Sequence, residues 1–155
     1  MPLAVQFFDV VLWLHILAFG IALGPTYAYG VFFTFASKAG ATATAYTARA
    51  MYTWDRIAVT TGALVILATG LYMVGDSPAY EVSDFFISWG FVAFLLILGL
   101  THGFFQPKTR QVIELLDKGQ EDEAMALGNQ IGKVGAALGV FVILTVYVMT
   151  AKPFL

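Results

Sequence analysis

The polar positions of this chain fall in clumps. Between the clumps lie four stretches without a single Asp, Glu, Lys or Arg: residues 10–37, 57–75, 85–107 and 134–151. A bilayer hydrocarbon core about 30 Å thick takes about 20 mostly apolar residues at about 1.5 Å each. Each window is about that long or longer, and none shows the two-residue alternation of a membrane β-strand. The pattern predicts an all-α transmembrane fold, a four-helix up-and-down bundle, as a single membrane domain over residues 1–155. The first window is too long for the core of a signal peptide, and Met1-Pro2-Leu3 carries no base. It is therefore expected to remain as helix 1.

The flanking residues lengthen these helices. An Ala/Thr-rich segment, 41–54, follows Gly40 and predicts that helix 2 starts well before residue 57. Residues 109–117 read as helix, with Val112, Ile113, Leu115 and Leu116 apolar, and Lys118-Gly119 is a stop signal. Glu121, Asp122 and Glu123 then suit the first turn of the next helix, where the macrodipole favours acids. Helices 3 and 4 are thus expected to form a long hairpin extending into the cytoplasm. Pro25 removes the hydrogen bond to the Ile21 carbonyl and predicts a kink in helix 1, with Thr26 placed to satisfy a freed carbonyl. Gly20/Gly24, Gly99/Gly103 and Gly135/Gly139 match the small-xxx-small spacing of closely packed membrane helices. They predict packing within the bundle, with a homodimer interface as the other use.

Composition agrees. The chain is 59% hydrophobic and 12% charged, against about 25% charged in a soluble domain. Seven of the eight basic residues flank the first and third connections: Lys38, Arg49, Arg56, Lys108, Arg110, Lys118 and Lys133. By the positive-inside rule both termini are extracytoplasmic, and a bacterial inner membrane is the simplest location. Cysteine is absent, which excludes disulfides, thiolate metal sites and Cys nucleophiles. The net charge of −2, with no basic stripe, points away from nucleic acid. Charge-free windows argue against a pump or a proton-coupled carrier. Trp54-Asp55-Arg56 reads as an interface anchor at the mouth of helix 2.

Two histidines remain. His15 lies early in the first window and His102 near the end of the third, at depths too different to share one metal. Tyr72, Met73, Tyr147 and Met149 end helices 2 and 4 in the leaflet of His15, with Trp13 and Trp89 beside them. A His–Met pair is a haem axial set and also suits copper. The alternative is a histidine that hydrogen-bonds a neighbouring helix, within an interfacial aromatic belt.

Several short segments carry a resemblance. They are Leu12-Trp13-Leu14-His15-Ile16-Leu17, Trp54-Asp55-Arg56, Thr61-Gly62, Thr69-Gly70-Leu71-Tyr72, Pro107 with the basic segment after it, and Tyr147-Val148-Met149-Thr150-Ala151-Lys152-Pro153. Their order resembles a family of small bacterial four-span integral membrane proteins of unknown function. That family is distantly similar to the membrane domains of CopD copper-resistance proteins and of HemJ, a haem-b protoporphyrinogen oxidase. The resemblance implies haem b on His15, with Met73 or Met149 as a loose match for a methionine partner. The chain departs from HemJ-like proteins in having no basic residue over 24–29, and it lacks the methionine clusters of a copper route. Two functions are therefore carried forward. One is a haem-b-binding membrane protein with a redox or haem-handling role, His15 being the metal ligand. The other is a cofactor-free accessory subunit that assembles with itself or a larger membrane complex.

Overall fold

The computed structural model describes residues 6–76 and 81–153. These form four long helices, α1 (Phe7–Ala39), α2 (Ala41–Asp76), α3 (Phe85–Asp117) and α4 (Glu121–Ala151), and no strand among the described residues. All four are long and apolar enough to cross a membrane. With 31 to 36 residues each, they run to about 50 Å at 1.5 Å per residue, well beyond a core of about 30 Å. The expected projection therefore involves every helix, not α3 and α4 alone. The end where α1 begins and α4 finishes is called here the upper end, and the end carrying the turns at Gly40 and Gly119 the lower end.

Local chemistry sets the turns. Gly40 takes φ +107°, a conformation that excludes most side chains, and α2 starts at the next residue. Gly119 takes φ +74° and closes α3 in a Schellman motif. Its N–H donates to Leu116 O at 3.1 Å, and the Gln120 N–H donates to Leu115 O at 2.9 Å. The Asp9 carboxylate accepts the Gln6 N–H at 3.0 Å and so caps the start of α1.

Three helices leave the α pattern at one level. α1 tightens into a 3-10 turn at Gly24–Ala28, while α2 and α3 widen into π turns at Asp55–Val59 and Thr101–Phe105. Each irregular turn lies about 24–32 Å from the upper end of its helix at 1.5 Å per residue. Pro25, where a kink is expected, lies in this 3-10 turn. The Thr26 hydroxyl donates to Leu23 O at 2.6 Å rather than to Ile21. α4 is α-helical throughout.

α1 packs along α2 in both halves, α2 meets α3 mainly in the lower half, and α3 follows α4. The lower core gathers Ala45, Ala48, Val112, Leu116 and Ala124 from three helices. A middle cluster joins Ala22, Leu23, Val59 and Val142, and an upper one Phe86, Ile87 and Val148. Large apolar side chains such as Leu64, Val92 and Leu95 face outward, as a lipid-facing surface requires. The expected glycine contacts are mostly absent: a Cβ at Gly20, Gly24, Gly99 or Gly103 would meet nothing within 4 Å. Spacing alone does not say which face of a helix meets a neighbour. The close approach occurs at Gly62, where a Cβ would lie 2.6 Å from the Ala22 Cβ and 3.3 Å from Ala18 O.

Candidate functional site

α1 and α4 are joined loosely, and a cavity of about 850 Å³ lies between them, floored by α2 and α3. Glycines 128, 132, 135 and 139 of α4 line it. With no side chains there, α4 leaves a trough along its inner face. Two aromatic side chains of α1 bridge the seam. The Tyr27 hydroxyl donates to Gly139 O at 3.2 Å, and the Phe33 ring lies on Gly128, where a Cβ would come within 2.7 Å of it. Val140 and Ile143 line the cavity and are nevertheless 70% and 61% exposed. The cavity therefore opens sideways, toward the surroundings of the bundle.

Its long axis has a polarity. From Ile143 to Asn129, both lining residues of α4, the span is about 21 Å at 1.5 Å per residue. The upper part is lined by Leu23, Val59, Leu138 and Val142. The hydroxyl of Thr101, on the same wall, is already spent on Ile97 O, at 2.8 Å. Asp55, Tyr29, Thr109, Asn129 and Lys133 line the lower part, together with the apolar Phe33, Ala48, Met51 and Val112.

Asp55 is the unusual group. It starts the π turn of α2 and is 8% exposed. The Tyr29 hydroxyl donates to its Oδ1 at 3.0 Å, with Met51 O a longer acceptor at 3.3 Å. Its other oxygen has no protein donor, and the carboxylate has no ion pair, among the described residues. The π turn frees the Asp55 carbonyl from its usual partner, and the Thr60 hydroxyl donates to it at 3.3 Å. Trp54-Asp55-Arg56, expected as an interface anchor, lies inside a helix that runs from Ala41 to Asp76, as the Ala/Thr-rich start implies, and Asp55 is buried there. The signal was present in Trp54-Asp55-Arg56, an adjacent acid and base of which one is buried and the other exposed.

The residues expected to hold a cofactor lie nearer the upper end. His15 sits half-buried between α1 and α2. Its Nδ1 lies 2.8 Å from Thr69 Oγ1, and its ring rests on Gly70. With the Thr69 hydroxyl donating to Val65 O at 2.6 Å, His15 protonated on Nδ1 can donate to the Thr69 oxygen, which leaves the lone pair on Nε2. Met73 stands four residues beyond Thr69, one turn higher on α2. Met149 reaches across to α3, with its methyl group against Gly90. His15 thus engages α2 and Met149 engages α3. Trp89, expected in an interfacial belt, donates inward from Nε1 to Thr145 Oγ1 at 3.2 Å. His102 is exposed, with Nε2 3.5 Å from Thr60 Oγ1. Thr60 and Thr69 are nine residues apart on α2, so the two histidines are separated by about 14 Å along it. No group of three His, Cys, Asp or Glu side chains gathers among the described residues.

The fold and the site define a class: a helical protein of four potential membrane spans with a side-opening cavity and one buried carboxylate. Comparison with protein-family models, curated proteins and solved structures gives no match.

Proposed function

We propose that the protein binds a small amphiphile, with its apolar body in the cavity and a cationic or hydrogen-bond-donating head at Asp55. The observation that carries this reading is the buried Asp55, held by Tyr29 and without a cation partner among the described residues, in the lower part of a largely apolar, side-opening cavity. The polarity matches that of a molecule resting in one leaflet. Asp55 lies about 31 Å from the upper end of α2, at the edge of the hydrocarbon core, and the apolar part of the cavity points toward the midplane. An amphiphile could slide in from the bilayer without inverting. Its tail would gain little by the move, because lipid is as apolar as the cavity wall. Selectivity therefore falls to the head. A hydrogen bond to a charged group contributes about 1.5–3 kcal/mol. Burying an ion costs several kcal/mol. Tyr29 alone leaves Asp55 short, and a second donor or a cation would close the gap.

The test is a thermal-denaturation series in detergent with dodecylamine, dodecanol and dodecanoate at equal concentration. Dodecylamine is expected to raise the melting temperature, and the other two to have little effect. Asp55→Asn should abolish the difference. So should Gly132→Leu, which puts a side chain where a Cβ meets nothing within 4 Å. Equal shifts from amine and alcohol, or an unchanged response in both variants, would overturn the reading.

A second reading, haem b on His15, is supported by the Thr69 bond. Ligating histidines characteristically donate their other ring N–H to an oxygen acceptor, which orients the ring. Iron would then take Nε2, and the group would supply one-electron chemistry. A Soret band in protein purified from haem-replete cells, lost in His15→Ala, is the expected result. Failure of both tests would favour the accessory-subunit alternative.

A further inference from the structure

Asp55 has a charged counterpart in its own cavity. Lys133 of α4 lines it too, and no other Asp, Glu, Lys or Arg does so among the described residues. Two contacts across the seam set their levels. Tyr27 reaches Gly139, and Phe33 lies on Gly128. On α1, Tyr29 stands between Tyr27 and Phe33; on α4, Lys133 stands between Gly139 and Gly128. Tyr29, with the carboxylate it holds, is therefore level with Lys133 across the trough. Lys133 is exposed and stands toward the opening, whereas Asp55 is buried at the floor. The two charges do not meet: Lys133 has no ion pair or hydrogen bond among the described residues. Nor is the acid sealed off. Among the described residues the buried side-chain polar atom that is both sealed and unpartnered is Gln106 Nε2, so the unpartnered Asp55 Oδ2 keeps some surface open to the cavity. The other polar side chains divide in two. Thr26, Thr34 and Thr101 give their hydroxyl protons to carbonyls of their own helices, at 2.6, 2.7 and 2.8 Å. The Thr109 hydroxyl and the Asn129 amide have no hydrogen bond among the described residues.

One acid and one base that face each other without touching restrict the head that fits. A lone ammonium on Asp55 would leave Lys133 facing a second cation. A lone anion at Lys133 would meet Asp55. A head that carries both charges leaves neither opposed. We infer that the amphiphile is zwitterionic, with its ammonium on Asp55 and its anionic group on Lys133. This rests on the reading of Asp55 given above and names the substrate class of the same site. Lysine suits the outer position as a flexible point charge with three donors, and its stem can lie along the apolar wall. Thr109 and Asn129 offer hydrogen bonds to the same head. Lys133 and Asp55 lie about 27 and 31 Å from the upper ends of their helices. That is the edge of a hydrocarbon core of about 30 Å, where the charged heads of lipids begin.

Thermal denaturation of the full chain in detergent tests this with three probes of one chain length. Dodecylamine presents a cation, lauroyl lysophosphatidylethanolamine a zwitterion and lauroyl lysophosphatidylglycerol an anion. The zwitterion is expected to act at a concentration about three- to fivefold lower than the amine, the range for one exposed ion pair. The anion should have little effect. Lys133→Gln should remove the zwitterion's advantage without weakening the response to the amine, because it takes away a like charge. Lys133→Arg should keep the advantage, and Asp55→Asn should lower the response to both probes. A change in the micelle itself would act alike on every variant. Stabilisation by the amine with no advantage for the zwitterion, or an advantage that survives Lys133→Gln, would overturn the zwitterionic head and leave the amine reading standing. Equal responses to zwitterion and anion would overturn it as well. No response to amine or zwitterion would overturn the reading of Asp55 itself, and this inference with it.

Discussion

The α1–α2 contact and the α1–α4 seam use the same kind of residue to opposite ends. At Gly62 and Gly70 the missing side chain is filled by a neighbour: Ala22 and Ala18 close on the first, and the His15 ring lies on the second. At Gly132 nothing comes within 4 Å, and at Gly135 and Gly139 one or two aromatic atoms stand at 3.5–3.9 Å. A glycine in a membrane helix thus marks either an approach of two backbones or a space kept open, and the partner helix decides which. Around Gly62 α1 presents Ala18 and Ala22 to α2, and along the seam it presents Tyr27 and Phe33 to α4. The first pair closes tightly and the second leaves a trough.

The sharpest way to break the comparison is to add one methyl group on each side. Gly62→Ala sets two Cβ atoms on rigid helices against each other, and the strain should cost about 1–3 kcal/mol. It would be read as a clear fall in melting temperature in detergent. Gly132→Ala meets open space and should leave stability unchanged or slightly raised. Similar losses from both would erase the distinction. Next in size is the polar tie of the closed pair. Thr69→Val removes the acceptor of His15 and should cost about 0.6–1.7 kcal/mol, the range for interhelical bonds in membranes. His15→Phe should be non-additive with it, and a double-mutant cycle measures this. On the seam, Gly128→Ala pushes only on the tip of the Phe33 ring, so Phe33→Leu should recover most of a loss of about 1 kcal/mol. The smallest effect belongs to the lower end. Arg49 and Asp117 pair at 2.6 Å but are about half exposed, so Arg49→Ala should cost less than about 1 kcal/mol, and less still at high salt.

Much of the architecture was legible because a bilayer imposes length and apolarity on each span separately. The four helices, the breaks at Gly40 and Gly119 and the buried Val112 and Leu116 all follow from such local rules. Which helices neighbour one another did not follow, and the cavity exists only through that choice. Gly20, Gly24, Gly99 and Gly103 matched a packing motif and yet face open space. Asp55 was hidden for a different reason. Counting charge-free windows treats every carboxylate as the end of a span, whereas a buried one can sit inside a helix that continues. His15 stands out because it is the one histidine of the first charge-free window. Its Thr69 partner is an unremarkable residue in such a window, and only the packing of α1 on α2 identifies it.

The two π turns carry a consequence for insertions and deletions. A π turn is an α turn that has absorbed an extra residue, so it rotates everything beyond it by about 100°. α2 and α3 both make this adjustment at the same level, whereas α4 makes none. Below them Ala48 and Val112 meet in the lower core, a contact that needs both turns in place. Loss of one residue from 55–59 alone would throw the pair out of phase. A matching loss from 101–105 would turn the lower half of α3 in the same sense about its own axis and so carry Val112 away as well. Deletion of one residue from either turn is thus expected to be poorly tolerated, and deletion from both no better.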